Sequence, residues 1–325
     1  MKRLFTAFAA LGLVFAAGNA SAQFTPGNME CIAPSDPGGG WDFTCRQMAP
    51  LLTELGFVSG NIRAQNMAGA GGAIAFAHVV NNHNDNENLL VAASTATTSR
   101  IAAGEFGDFS VDDVRWPAAL GADDGVLAVA ADSPLNSLAD LVEAWEDNPR
   151  SVSIVGGSSA GGWDHLKVLL IADAADVPVN DVRYTSFSSG NVAIVEILAG
   201  RADVFTGDLS EALPHFEAGT LKGIALLSDS RLELDVTADI QTGIEQGFDI
   251  VAPNWRGFYL PAGISDEAYD FWVDAFETVA DSDEWADLRE KNGIGDFRRF
   301  GTEMEEFARR QVADIQKLLE EIGAQ

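Results

Sequence analysis

The sequence predicts an α/β protein with two lobes, each a mainly parallel sheet flanked by helices, and a ligand cleft between the lobes. Strand-like apolar runs alternate with helix-like patterns along the 325 residues, and such alternation favours parallel sheets with ligand groups at the strand ends. The letters GGWD occur twice, at residues 39–42 and 161–164. Each copy follows a strand-like run and precedes a helical pattern, which indicates two similar lobes.

The first lobe begins with a predicted strand at MECIAP, residues 29–34. A helix is predicted over 41–55, because apolar side chains fall at helical spacing there: Met48, Leu51, Leu52 and Leu55. NIRAQN and NLLVAAS are the next predicted strands, and the glycine-led helix GAGGAIAFAHVVNN lies between them. The third strand ends at a polar cluster that starts with Ser94 and Thr95.

The second half of the chain repeats this order. GVLAVA predicts a strand, SLADLVEAWE a helix, and SVSIV a strand that leads into the second GGWD and a helix over 163–175. VRYTS, ADVFTG and KGIALLS predict further strands, with a helix near 191–199 after the first of them. The chain then returns through FDIVAPNWRGFYLPAG to two helices. Crossovers near 121–126 and 253–257 give lobe 1 as residues 23–124 and 254–325, and lobe 2 as residues 125–253.

The N-terminus predicts an export signal over residues 1–22. A basic start precedes an apolar run, and residues 20–22, ASA, form a cleavage site of the A-x-A type. The apolar run is too short to span a membrane. We therefore expect a mature chain that starts at Gln23 and lies outside the cytoplasm.

The formal net charge of −29 at pH 7 restricts the partners. Such a charge argues against nucleic acid and against anionic membranes. The four His residues show no ligand spacing with Cys or with paired carboxylates, so we expect no metal site. No nucleotide-binding fingerprint occurs in the required context, and we expect no cofactor.

The two glycine loops offer an anion site in spite of this charge. The N-terminus of a helix carries unpaired backbone N–H groups and the positive end of the helix dipole. Glycine lets a ligand approach that backbone closely, and such a site needs no Lys or Arg. Two loops that face each other across a cleft would hold a molecule with carboxylates at both ends. A third loop of this kind is Gly69–Gly72.

Side chains in the two loops have both a ligand role and a structural role open to them. Ser158 and Ser159 lie within the second loop, where we expect ligand contact. Asp42 and Asp164 fit helix capping better than ligand contact.

Two further pairs of side chains flank the loops. Trp41 and Trp163 fit a wall of the cleft and ordinary packing about equally well. Arg46 and Arg100 are able to pair with a ligand carboxylate, but we expect them to form surface ion pairs with the abundant Asp and Glu.

Cys31 and Cys45 lie one on each side of the first loop. In an oxidising compartment a disulfide would join the strand to the helix. The alternative is two small buried side chains that never meet, and we favour the disulfide.

The mature chain resembles the substrate-binding proteins of the tripartite tricarboxylate transporter family. CIAPSDPGGGWDFTCR is similar to the family's strand, PGGG loop and helix opening, especially in the tricarboxylate-binding branch, where Cys residues flank the loop. Four later segments are also similar: AQNMAGAGG, YTSFSSGNVAIVEILAGRADV, LPHFEAGTLKGIAL and TGIEQGFDI. Two features depart from the family. The second loop carries the extra GGWD, and the family's lysine after the tyrosine is missing in the region of Thr185.

The resemblance implies a two-lobed periplasmic binding protein, not an enzyme, that closes on a di- or tricarboxylate such as citrate. It implies delivery of that ligand to an integral-membrane permease, and we expect a monomer. Family members hold a carboxylate largely by backbone amides and water between two glycine loops. The predicted ligand set is Ser35, Gly38, Gly39, Gly40, Trp41, Asp42, Asn66, Ser94, Thr95, Ser158, Ser159, Ala160, Trp163, Ser188 and Asp208.

A secreted serine hydrolase is the alternative. Residues 157–161, GSSAG, fit G-x-S-x-G between a strand and a helix, as a nucleophile elbow requires. Ser159 would be the nucleophile, His215 or His165 the base, and Asp208 the partner of the base. A hydrolase leaves the other glycine loop without a role. A sensory protein that binds the same ligand and signals to a receptor is a third alternative.

Overall fold

The computed structural model describes residues 24–232, 234–321 and 323, so the predicted export signal lies outside the described residues. The strands are β1 Met29–Ala33, β2 Ile62–Asn66, β3 Leu89–Ser94, β4 Val114–Asp123, β5 Gly125–Ala130, β6 Ser153–Gly156, β7 Arg183–Ser186, β8 Val204–Asp208, β9 Leu221–Leu227, β10 Asn254–Pro261, β11 Ile294–Gly295 and β12 Arg299–Phe300. The helices are α1 Gly40–Glu54, α2 Ala73–Asn82, α3 Thr95–Ala102, α4 Leu138–Asp147, α5 Trp163–Ala174, α6 Gly190–Leu198, α7 Leu209–Glu217, α8 Asp266–Ala280, α9 Asp283–Lys291 and α10 Gly301–Glu321.

The strands form two separate sheets. The first sheet has the order β11-β4-β10-β3-β1-β2, with β12 paired to β4, and draws its strands from residues 29–123 and 254–300. The second sheet has the order β7-β6-β8-β5-β9, from residues 125–227. β4 ends at Asp123 and β5 begins at Gly125, so a single residue carries the chain from one sheet to the other.

Both sheets are mixed, which corrects the prediction of mainly parallel sheets. β1 runs parallel to β2 and β3, but β10 runs antiparallel to β3 and β4. In the second sheet β6 is parallel to β7 and β8, and β5 is antiparallel to β8 and β9. The antiparallel strands β4, β5 and β10 lie where the chain passes between the sheets. β5 and β10 enter their sheets directly from the other sheet, without the strand and crossover helix of their own sheet that parallel pairing requires. β10 then lies between β3 and β4 and runs antiparallel to both.

Several elements of the first lobe were not predicted. The described part of the chain ends in three helices, α8 to α10, and not in the two that were predicted, and the short strands β11 and β12 lie before the last of them. β4 and α3 were also missed. β4 is buried at nearly every position, so its sequence has no apolar–polar alternation to reveal a strand. The polar residues expected to end β3 instead form α3. Ser94 caps this helix, because its Oγ accepts the N–H of Ala96 at 3.2 Å, and Thr97 completes a capping box.

Cys31 and Cys45 form a disulfide that joins β1 to α1. Both are buried in one apolar cluster with Met48 of α1, Phe258 of β10 and Trp272 of α8. The disulfide therefore fixes both ends of the first glycine loop against this core. Among the described residues, no helix has the length and apolar character that a membrane crossing requires.

The disulfide is expected to stabilise the fold substantially. Replacing both Cys31 and Cys45 with Ala opens a loop with a sequence separation of 14, and should lower the free energy of unfolding by about 3 kcal/mol. Urea unfolding followed by circular dichroism measures the change. The matched control is the wild type in reductant, which should lose a similar amount, and an unchanged midpoint for the double variant would contradict the expectation.

Candidate functional site

A cavity of about 290 Å³ lies between the two sheets, at the glycine loops. Its walls come from both halves of the chain: the β1–α1 loop, residues 68–71 and the start of α3 on one side, and the loops before α5 and α6 on the other. Nine residues of the predicted ligand set line it: Ser35, Gly39, Gly40, Trp41, Ser94, Ser158, Ser159, Ser188 and Asp208.

The aspartates of the two GGWD repeats close their own loops. Gly38 donates its N–H to Asp42 Oδ2 at 2.9 Å, and Gly157 donates its N–H to Asp164 Oδ2 at 3.1 Å. The N-caps of α1 and α5 are Gly39 and Gly162, and neither helix start has a side-chain cap. The start of α1 therefore presents bare backbone, whereas the Asp164 N–H in the first turn of α5 donates to Ser158 Oγ at 2.9 Å. In both loops a carboxylate holds the backbone through a glycine N–H.

Two guanidinium groups lie directly against this backbone. A Cβ atom on Gly40 would stand 2.7 Å from Arg256 Cζ, and one on Gly162 would stand 2.6 Å from Arg100 Nη2. No side chain fits at either position unless the arginine moves. Glycine is thus required here by the close approach of an arginine to a helix start.

Arg100 lies in the wall of the cavity, so the expectation of a surface ion pair was wrong. It is 1% exposed, pairs with Glu105 at 2.5 Å and donates to Ser159 Oγ. Arg100 belongs to α3, which places the guanidinium group in the space between the lobes. Arg46, by contrast, is half exposed and pairs with Asp42 at 2.8 Å, as expected of a surface arginine.

A buried network of charges connects the two sheets below the cavity. Arg256 of β10 pairs with Asp208 at the end of β8 at 2.9 Å and with Asp123 at 2.7 Å. Lys167 of α5 pairs with Asp208 at 2.8 Å and with Asp164 at 3.1 Å. Burial raises the pKa of the Asp208 carboxyl, but Lys167 and Arg256 outweigh it and hold that pKa below its usual range.

Glu211 is a carboxyl group of the cavity wall whose pKa is shifted in the opposite direction to that of Asp208. It lies in the first turn of α7 and lines the cavity. Burial raises its pKa to about 8, and the carboxylates of Asp208, Asp164 and Asp123 add to this, while Arg256 opposes it.

Several buried polar atoms of the lining lack a hydrogen-bond partner within the described part of the chain. They are Ser35 Oγ, Arg100 Nε, Asn254 Oδ1 and Arg256 Nε. Burying such groups without a partner costs roughly 1–3 kcal/mol each. Their concentration around one cavity indicates a site built for a polar ligand or for water.

Six predicted ligand residues do not line the cavity: Gly38, Asp42, Asn66, Thr95, Ala160 and Trp163.

Internal contacts account for four of the six. The Asp42 carboxylate accepts hydrogen bonds from the Gly38 N–H, from Arg46 and from Asn66 Nδ2. Thr95 Oγ1 donates to the Pro253 carbonyl and accepts the Trp255 N–H, both at 3.2 Å.

The other two predicted residues lie elsewhere. Trp163 packs in the core with 8% of its surface exposed. Ala160 lines a separate cavity with His165.

The catalytic arrangement of the hydrolase alternative is not formed. Ser159 Oγ contacts Arg100 and Glu105, not a histidine. His165 Nδ1 accepts the N–H of Gly161 at 2.9 Å, and burial lowers its pKa to about 4. His215 contacts Thr220 on the surface.

Four residues of the site were not predicted from the sequence: Lys167, Glu211, Asn254 and Arg256. Arg100 was expected at the surface. One signal was present: Lys167 and Arg256 lie within largely apolar runs, LKVLLI and WRGFYL. A charge within a buried segment requires a partner. Which partner it takes depends on the tertiary structure. Within the described residues, no three His, Cys, Asp or Glu side chains are grouped as a metal ion would need.

A family model described as "Tripartite tricarboxylate transporter family receptor" matches residues 56–324. The chain belongs to this receptor family. It is therefore a periplasmic solute receptor and not an enzyme.

The receptor is similar to proteins of known sequence and structure. It is 24% identical over 319 residues to a UPF0065 protein of Bordetella pertussis, covering 98% of this chain and 96% of that protein. MatC from Rhodopseudomonas palustris with bound malate has a TM-score of 0.80 and 19% identity, covering 91% of this chain and 100% of MatC. R. palustris Rpa4515 with adipate has a TM-score of 0.81 and 19% identity, covering 91% and 97%. These likenesses confirm the predicted two-lobed periplasmic binding protein fold.

The buried network of the receptor should be sensitive to loss of one partner. Arg256→Met leaves Asp123 without its cation and Asp208 with only Lys167, and should lower the free energy of unfolding by about 3–5 kcal/mol. Urea unfolding of the variant and of the wild type measures this loss of free energy.

The matched control is Arg201→Met, which removes an exposed pair with Glu196 and should leave the unfolding midpoint unchanged. Equal effects of the two substitutions would show that the buried network does not stabilise the fold.

Proposed function

We propose that the receptor captures a small di- or tricarboxylate, citrate-like, in the cavity between the glycine loops and delivers it to an integral-membrane permease of a tripartite tricarboxylate transporter. The lobes would comprise residues 23–124 with 254–325, and residues 125–253. Export through a signal at residues 1–22 and action as a monomer belong to the same proposal.

The observation that carries the proposal is the set of buried, unpaired donors around the cavity. Ser35 Oγ, Arg100 Nε and Arg256 Nε have no partner within the described chain, and their residues line the cavity beside the bare start of α1 at Gly40. Carboxylate oxygens accept hydrogen bonds and donate none. Asn254 Oδ1 is the one acceptor among the four unpaired lining atoms, so the unpaired groups are mostly donors and match an ionised acid.

The arginines and the helix starts supply different parts of the anion site. Guanidinium groups bind carboxylates by charge-assisted hydrogen bonds, and helix N-termini add backbone donors and a favourable dipole. These groups are buried and therefore act in a space of low dielectric constant. The net charge of −29 is spread over the outer surface, where salt screens it, so it has little effect on the cavity.

The size of the cavity fits a small metabolite. Its volume of about 290 Å³ lies at the lower end of the range for small-molecule sites. The malate bound to MatC and the adipate bound to Rpa4515 are aliphatic dicarboxylates, which supports a ligand of the same class for this receptor.

Contacts across the cleft support capture by closure between lobes. Asn191 Nδ2 donates to the Gly38 carbonyl, and Arg100 of α3 donates to Ser159 of the other wall. Arg256 and Asp208 join the sheets below the cavity. The chain crosses between sheets near Asp124 and again before Asn254, so a small rotation at these two crossings would open and close the cleft.

Calorimetric titration of ligand-stripped protein with citrate, malate, succinate, adipate and benzoate tests the ligand class. We expect one-to-one binding of an aliphatic di- or tricarboxylate and no binding of benzoate. Gly40→Val and Gly162→Val should each weaken that binding by about 100-fold, because displaced arginines lose one or two charge-assisted hydrogen bonds.

Gly27→Val is the matched control, since a side chain at Gly27 meets no atom within 4 Å. It should bind as the wild type does. Thermal melting followed by circular dichroism verifies that each variant is folded. Wild-type affinity in both loop variants would remove the glycine loops from the ligand site.

Delivery to a permease needs a separate test. Cross-linking in cells of the native host, with the protein loaded with its acid, should capture a multi-span permease. Capture of a sensor kinase instead would contradict delivery and support the sensory alternative.

A further inference from the structure

Glu211 differs from the other carboxyl groups in the cavity wall. Asp164 and Asp208 each pair with a buried cation. Within the described chain Glu211 has neither an ion pair nor a hydrogen bond, although it also lines the cavity. Its carboxyl group is therefore available to a ligand.

The carboxyl group lies against the start of α6. A Cβ atom on Gly190 would stand 2.5 Å from Glu211 Cδ and 2.8 Å from its Oε1. The group thus occupies the space above a glycine that also lines the cavity, next to Ser188 and Ser189. It lies on the second-lobe wall, to which Ser158 also belongs.

The charges around Glu211 favour its neutral form. Asp208 of β8, Asp164 of α5 and Asp123 of β4 all act against ionisation, and Arg256 of β10 favours it. The Arg256 charge is shared between Asp123 and Asp208.

No other cation of the described cavity wall is available to Glu211. Lys167 of α5 is shared between Asp164 and Asp208, and Arg100, across the cavity, is paired with Glu105. The first turn of α6 carries no charged side chain, so the positive end of its dipole is the one further feature that favours the ionised form. Burial and these carboxylates raise the pKa of Glu211 to about 8, which favours its protonated form at neutral pH.

The charges of the side chains that line the cavity also favour a protonated Glu211 when a dianion binds. Arg100 and Arg256 contribute two positive charges, and Asp164, Asp208 and Glu211 would contribute three negative ones if all were ionised. An ionised Glu211 would repel a dianion at short range. A protonated Glu211 removes that repulsion and supplies an O–H donor.

We propose that Glu211 binds as a neutral carboxylic acid and donates its O–H to a carboxylate of the bound acid, so that the receptor selects fully ionised di- or tricarboxylates. This inference rests on the proposed function. No proton leaves Glu211 in this contact. The O–H stays on the protein and the ligand oxygen accepts.

The contact makes binding depend on pH in a defined direction. Below about pH 7 the free receptor already holds the proton, and affinity is constant with respect to Glu211. Above about pH 8 the free receptor has lost the proton and must take one up on binding, so affinity should fall roughly tenfold per pH unit. Succinate, malate and adipate are fully ionised throughout this range, since carboxyl groups in water titrate near pH 4.

A second buried group titrates close to this range. Burial raises the pKa of Asp124 to about 7, with Asp123 adding to the effect. Asp124 lies at the crossing between the sheets and does not line the cavity. A variant of Glu211 separates the two contributions.

Calorimetry at pH 7, 8, 9 and 9.5, in two buffers of different ionisation enthalpy, measures affinity and proton uptake together. The probe is whichever of succinate, malate, adipate or citrate binds the wild type most tightly at pH 7. For the wild type we expect uptake approaching one proton at pH 9 and an affinity roughly 10- to 30-fold lower at pH 9.5 than at pH 7.

Two substitutions of Glu211 distinguish a neutral donor from a charge. Glu211→Gln keeps a donor and removes the titration, so its affinity should not fall above pH 8 and should exceed that of the wild type at pH 9.5. Glu211→Leu removes the donor and should bind more weakly than Glu211→Gln at every pH. The matched control, Glu217→Gln, changes an exposed position of the same helix and should keep the wild-type pH profile.

Either of two results overturns the inference while leaving carboxylate capture in place. One is a wild type that binds an acid with no proton uptake and a constant affinity from pH 7 to 9.5. The other is complete loss of binding at pH 7 in folded Glu211→Gln, which would mean that an ionised Glu211 meets a cationic group of the ligand. A wild type that binds no acid of the panel at any pH overturns the proposed function itself.

Discussion

The buried charges around Asp208 are the interaction on which the two-lobed arrangement depends. This carboxylate ends a strand of the second sheet, and it accepts from Arg256 and Asn254 of the first sheet and from Lys167 of α5. An isolated charge at such depth would be very unfavourable, and only several well-placed partners compensate for its lost hydration. Arg256 of this network also lies against the start of α1 at Gly40. Lys167 of the network also pairs with Asp164, which belongs to the second GGWD repeat. Lobe contact and cavity geometry therefore share one set of residues.

The glycines of the two loops follow from this arrangement. Arg256, held by the buried carboxylates of Asp123 and Asp208, leaves no room for a side chain on Gly40. Arg100, paired with Glu105, does the same at Gly162. The aspartate of each GGWD repeat then holds its loop from behind through a backbone N–H. The repeat is a structural unit, in which glycine provides access and aspartate provides rigidity. The serines and the arginines provide the donors that face the cavity.

Much of the candidate site was accessible from the sequence. The glycine loops, Ser35, Trp41, Ser94, Ser158 and Ser159 occur in local patterns, and these residues do line the cavity. Residues such as Asn66 and Thr95 occur in the same patterns, yet their side chains form hydrogen bonds with other parts of the protein. A motif fixes where a residue lies along the chain. It does not fix whether the polar group of that residue points to a ligand or to another part of the protein, because both uses satisfy the same hydrogen-bonding need.

The sequence by itself determined the α/β class, the two lobes, the glycine-led helices and the family, because each depends on periodicity or on a short local motif. Only the tertiary structure decided the mixed direction of the sheets, because β5 and β10 enter their sheets directly from the other sheet. It also decided the partners of Arg100, Lys167, Glu211 and Arg256. Their environment is made by segments distant in sequence, as with Asp123 and Arg256, which are 133 residues apart. Burial and charge are sums over such neighbours, so no local pattern encodes them.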